Sequence, residues 1–176
     1  MLLPSRRKFM SKLIKDGAIV DDTWTLLAKP EADAISAEVP AGQVIVPLSV
    51  WNAQKDSLQA RTDIGVWLDS DESAEQIGED AKRFPVIAVN FPLFMDGRAF
   101  SSARLLRERY GFTGELRAIG NFIRDQLCYL RRCGVNAFAF ANSETSLEEA
   151  VKSLNDFQEY YQASVDQPLP LFRRRA

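Results

Sequence analysis

Between Phe94 and Gly134 the chain carries eight arginines, at 98, 104, 107, 109, 117, 124, 131 and 132, and no lysine. Arginine presents a planar fork of N–H donors that can grip a carboxylate or oxyanion bidentately, which the ammonium of lysine cannot do. The turn signal Asp96-Gly97-Arg98 is followed by Ser101 and Ser102, and either serine can cap a helix that runs through Tyr110 and closes at Gly111. A helix N-terminus favours anions through its free N–H groups and dipole. Arg124 falls in the first turn of the next expected helix, where the dipole disfavours a cation, so its place there hints at a ligand. Asp96, Arg98, Ser101, Ser102 and Arg124 are therefore the candidate anion-binding residues.

The remaining charges of this stretch read as support. Arg104 and Arg107 lie one helical turn apart and are expected to pair with Glu108 or Glu115. Glu115, Arg117 and Asp125 are expected to form a buried ion-pair network that fixes helix packing. Cys128 and Cys133 lie five apart on one expected helix, about 140° round its axis from each other. That is neither a redox pair nor a zinc spacing, so both read as free thiols. Histidine is absent, which excludes His-based acid–base catalysis, His-containing serine triads and His-ligated metal sites. No phosphate loop, dinucleotide fingerprint or metal-ligand cluster is legible, so no cofactor is assigned. Gly111-Phe-Thr-Gly114 lies at the amino end of a strand, the wrong side for a nucleotide.

These groups need elements to position them. Short apolar runs at 44–48, 64–68, 86–89, 115–119 and 137–140 alternate with helical patterns. The spacing predicts an α/β fold of about five parallel strands, as an open doubly wound sheet or a partial barrel that a second copy could complete. In either architecture ligands bind outside the carboxyl ends of the strands. Ser73 with Gln76, and a stripe of Ala74, Ile77, Ala81 and Phe84, predict one helix that Pro85 ends. Asn121 opens a second, with Ile123, Leu127 and Leu130 inward and Gly134 closing it. Ser146 opens the last, with a stripe from Leu147 through Ala150, Val151, Leu154 and Phe157 to Tyr161. Near the start, Asp16-Gly17 between apolar pairs predicts a β-hairpin. The organisation expected is a hairpin extension and linker over 1–42, the α/β domain over 43–163, and a basic tail over 164–176, docked or frayed.

A chain of 176 residues with 46% hydrophobic content can bury a substantial core. The net charge of −2 offers no argument for nucleic acid. Basic residues cluster at Arg6, Arg7, Lys8 and Lys12 and at Arg173, Arg174 and Arg175, while 69–80 is acidic. No apolar run approaches the ~20 residues that cross a bilayer, and the start lacks the apolar core of a signal peptide. A cytoplasmic protein that contacts neither membrane nor nucleic acid is the expectation. An exposed sheet edge beside a β extension makes a homodimer a further expectation.

The run F-x-DGR-x-x-S-x-ARLLRERYGF-x-GELRA-x-G, then RDQL-x-Y-x-RRCG and an F-x-F strand, resembles a bacterial domain of unknown function. That domain is commonly labelled a probable oxidoreductase or an accessory protein of sulfite reduction. The likeness covers about residues 51–161; Ala99 and Val135 depart from it where glycine and phenylalanine are common. It implies assimilatory sulfur metabolism, with a sulfite reductase or its electron donor as partner, and supplies no catalytic residues. Its motif falls on Phe94, Asp96, Gly97, Arg98, Ser101, Arg104, Arg107, Gly114, Glu115, Arg117, Asp125, Gln126 and Arg132, so Gln126 joins the supporting set. Two roles stand as expectations: a non-catalytic accessory of sulfite reduction, or an oxidoreductase-type enzyme holding a small oxyanion at the 96–102 loop. The second needs electrons from a cofactor or partner.

Overall fold

The computed structural model of the chain describes residues 11–30, 34–142 and 145–174. The basic residues Arg6, Arg7, Lys8 and Arg175 lie outside them. Eight strands form one mixed sheet in the order β2-β1-β8-β7-β6-β5-β4-β3. They are β1 (Lys12–Lys15), β2 (Ala18–Asp21), β3 (Thr25–Leu26), β4 (Val44–Pro47), β5 (Ile64–Leu68), β6 (Val86–Phe91), β7 (Glu115–Gly120) and β8 (Ala137–Phe140).

The five apolar runs all form strands, but the parallel set has six members, because β3 pairs with β4 in parallel. Two residues are too few to show a period, which is why β3 is not legible as part of this set. The hairpin closes through Asp16 and Gly17, both at positive φ, and β1 then pairs antiparallel with β8. The N-terminal hairpin thus belongs to the same sheet as the α/β units.

The parallel strands follow sequence order, without the reversal that defines a doubly wound sheet. Crossovers of one hand then put the helices that connect the parallel strands on one face. The packing agrees: the larger core joins Val46, Val66, Ile87, Leu116 and Phe138 to the helices. The opposite face carries Ile45, Trp67, Val86, Ala88 and Ile119, with Trp24 and Ala139 packed against them. The sheet must also curl. Its two edges, β2 and β3, are joined by residues 22–24 alone. A flat eight-stranded sheet would hold them about 34 Å apart at ~4.8 Å per strand, whereas this connection reaches at most ~15 Å. The result is a half-barrel, and the N-terminal segment crosses its inner face.

On the outer face lie α1 (Leu48–Ala53), α2 (Lys55–Leu58), α3 (Arg98–Glu108), α4 (Leu127–Arg132) and α5 (Leu147–Ser153); α6 (Leu171–Arg174) follows in the tail. The helix expected after Ser73 is instead two 3-10 segments, Ala74–Gln76 and Gly78–Arg83, broken where Gly78 adopts φ +56°. Its stripe of Ala74, Ile77, Ala81 and Phe84 is buried as expected. Ser146 caps α5 by accepting from the Glu149 N–H at 3.3 Å. That helix stops at Ser153, so Phe157 and Tyr161 lose its register and lie exposed. Ile123 also points outward: it precedes a 3-10 turn, Arg124–Gln126, and Phe122 takes the inward place against Phe91, Phe138 and Phe140. The tail is docked: Ser164 Oγ and the Val165 N–H both donate to the Arg132 carbonyl at the end of α4.

Candidate functional site

The carboxyl ends of the parallel strands form one rim. β5 delivers Asp69 and Ser70, β6 delivers Asn90, and the loop after β6 delivers Asp96 and Arg98. The segment after β3 brings Lys29 to the same place. One hydrogen-bonded chain links them. Lys29 Nζ lies 3.1 Å from Asp69 Oδ2, and Asn90 Nδ2 donates to Asp69 Oδ1 at 3.0 Å. The Ser70 N–H donates to Asp69 Oδ1 at 2.9 Å, and Arg98 Nη2 donates to Ser70 Oγ at 2.9 Å. Arg98 then closes on Asp96, with Nε to Oδ1 at 2.9 Å and Nη2 to Oδ2 at 2.7 Å.

Asp96 decides the local electrostatics. Helix α3 begins at Arg98, three residues before the first serine, and its N-cap is Gly97 without a side-chain bond. The Asp96 carboxylate accepts the Arg98 backbone N–H at 3.2 Å in addition to the guanidinium fork. Ser101 and Ser102 therefore sit inside the helix, Ser101 exposed and Ser102 buried, and neither caps it. The chain's own carboxylate occupies both the helix N-terminus and the arginine fork where an anion was expected. The Arg98 hydrogen bonds hold the Asp96 carboxyl far below the usual carboxylate range. Burial pushes the Asp69 carboxyl up, but hydrogen bonds from Asn90, the Ser70 N–H and Lys29 outweigh it, and its pKa falls below 3.8.

Arg124 is not brought into this chain of bonds. It pairs across the surface with Glu149 of α5 at 3.0 Å. Arg104 pairs with Glu108 one turn on, at 2.9 Å. Among the described residues Arg107 forms no ion pair with a carboxylate. It donates to the carbonyls of Phe112, Gly114 and Gly134 and to Asn136 Oδ1, pinning the turn after α3 to the end of α4. Gln126 is a clamp: its Oε1 accepts the Ile123 N–H at 3.1 Å and its Nε2 donates to the Phe94 carbonyl at 2.9 Å.

Glu115 and Arg117 do form a buried pair, 2.7 Å apart, but Asp125 is not its third member. Both residues point to the inner face of β7, whereas Asp125 follows that strand's carboxyl end and is exposed. The other partners are Asp22, whose carboxylate lies 2.9 Å from Arg117 Nη1, and Lys15, 2.8 Å from Glu115. Lys15, Asp22 and Lys29 escaped sequence reading because their partners lie 100, 95 and 40 positions away. Asp69 and Asn90 carried a signal, each being the polar residue that follows an apolar run. Cys128 and Cys133 are free thiols; burial raises the pKa of Cys133, and the Cys128 thiol donates to the Ser153 carbonyl.

Residues 65–172 match a family described as bacterial protein of unknown function, DUF934. The chain belongs to that family. The DUF934 match runs from β5 into α6, so it includes Asp69, Asn90, Asp96 and Arg98 and leaves Asp22 and Lys29 outside. No curated protein and no solved structure matches the chain. Among the described residues no group of three or more His, Cys, Asp or Glu is placed to hold a metal ion, and no helix is long and apolar enough to cross a membrane.

Proposed function

We propose that this chain is an accessory protein of assimilatory sulfite reduction that acts with a sulfite reductase and carries no chemistry of its own. The pathway comes from the sequence resemblance. The non-catalytic part rests on one observation: Asp96 already fills the fork of Arg98 and the N-terminus of α3. A bound oxyanion would have to displace a carboxylate tethered two residues away. A strain lacking the gene tests the reading when grown on sulfite or on sulfide as sole sulfur source, with reductase abundance and cofactor loading measured. Growth on sulfide alone, with a poorly assembled reductase, is expected. Unimpaired growth on sulfite would overturn it.

A small-anion enzyme of oxidoreductase type is the second reading. In its favour is a cleft of about 320 Å³ beside Arg98, with Ser70, Ser73, Ser101 and Ser102 among its lining residues. Asp71, Glu72 and Glu75 line the same cleft, and their charges repel an anion, which ranks this reading second. Calorimetry with sulfite and sulfate on the wild type and Arg98→Ala separates the two. Binding lost in the variant would promote the enzyme reading, and no heat in either protein would remove it.

A further inference from the structure

The loop after β6 holds three consecutive large apolar side chains in solvent: Leu93, Phe94 and Met95, exposed by 64%, 54% and 76%. The backbone beneath them is fixed. The Asp96 N–H bonds the Leu93 carbonyl at 3.0 Å, Asn121 Nδ2 bonds the Pro92 carbonyl, and Gln126 Nε2 bonds the Phe94 carbonyl, both at 2.9 Å. The Gln126 clamp sets Ile123, 44% exposed, beside the loop. One turn on, Tyr129 is 54% exposed and packs its ring 5.0 Å from Phe100. With about 200 Å² per large side chain, the five leave on the order of 600 Å² of apolar surface open. That is the upper end for the largest patch on a monomer, and two such patches approach the ~1,200 Å² at which stable interfaces begin.

We infer that this patch is a two-fold interface with a second copy of the chain, centred on Phe94 and Met95. The charges at its border favour a like partner. In a two-fold contact every residue near the axis meets its own copy, so an unpaired charge there would face itself. Here Arg98 is held by Asp96, Arg124 by Glu149 and Arg104 by Glu108, all within one chain. These three arginines therefore ask for no complementary charge from outside, while Asp125, exposed near Ile123 and in no ion pair among the described residues, must lie at the rim in water. Phe, Tyr and Met are also the residue types enriched at interface cores. The inference is independent of the accessory role and concerns only the purified chain.

Sedimentation velocity over a wide concentration range tests it, on the wild type, on Phe94→Asp and Met95→Lys, and on Phe157→Asp as an exposed aromatic outside the patch. The wild type and Phe157→Asp are expected at twice the 19.8 kDa chain mass. Phe94→Asp and Met95→Lys are expected as monomers with unchanged circular dichroism, because neither side chain supports the core. A monomeric wild type would overturn the inference, as would a dimer that survives both charged variants. Should the wild type be monomeric while Phe94→Asp loses a co-purifying reductase, the patch serves that partner instead, and the accessory role stands without the dimer.

Discussion

Arg117 carries a full charge to the inner face of the sheet at 3% exposure, and Glu115 and Asp22 meet it there. A buried pair of this kind adds little over an apolar replacement, yet removing one partner strands the other charge. Arg117→Met is expected to cost about 3 kcal/mol, read as a lower urea midpoint, and Glu115→Gln on that background should recover part of it. The rim pair behaves differently because it is half in water. Burial opposes the charge of Lys29, but its hydrogen bond to Asp69 and the charges of Glu72, Asp69 and Asp71 together outweigh that, and its pKa rises above 10.5. A raised lysine contributes stability at all lower pH and loses it as pH climbs through that raised value. The depressed Asp69 contributes above its ordinary 3.8 and loses it as pH falls further. Asp69→Asn should therefore cost under about 1 kcal/mol between pH 5 and 9, and progressively less as pH falls below 3.8, in urea titrations.

At the scale of elements, the tight point is the turn leaving β7. Gly120 sits at φ +96°, and a Cβ there would lie 2.5 Å from the Phe91 carbonyl oxygen and 2.6 Å from Asn90 Oδ1. The adjacent Asn121 N–H bonds that same carbonyl at 2.7 Å. This glycine lets the β7 exit pass close to the β6 exit, which puts Asn90 and the clamp under Phe94 where they are. Gly120→Ala is expected to lower stability by about 2–3 kcal/mol through left-handed strain and backbone overlap. A melting temperature within a degree of wild type would show that the two exits are not so constrained. The two 3-10 segments after β5 make the same point about limits of pattern: Ala74, Ile77, Ala81 and Phe84 read correctly as buried, while Gly78, which opens the second segment at positive φ, decided against an α-helix.

For the whole molecule, the hairpin is the test. Ile14 is fully buried and pairs with Phe138 at the far end of the chain, and Asp22 reaches Arg117 across the inner face. A chain beginning at Asp22 would expose the edge of β8 and empty part of the core. Such a protein is expected in the insoluble fraction, and a soluble form with native circular dichroism would mark residues 12–21 as dispensable to the sheet.

Local pattern sufficed for the strands at 44–48, 64–68, 86–89, 115–119 and 137–140, for the Asp16-Gly17 hairpin and for the Ser146 cap, because each depends on residues within one turn or one pleat. It also placed Asp96 and Arg98 at the carboxyl-end rim. Tertiary structure alone decided the sequential strand order, the curl enforced by residues 22–24, and the partner of each charge. Asp22 with Arg117, and Lys29 with Asp69, meet only once the sheet has folded the chain back on itself. For the same reason Asp96 turned from a candidate ligand contact into the anion that Arg98 and the start of α3 already hold.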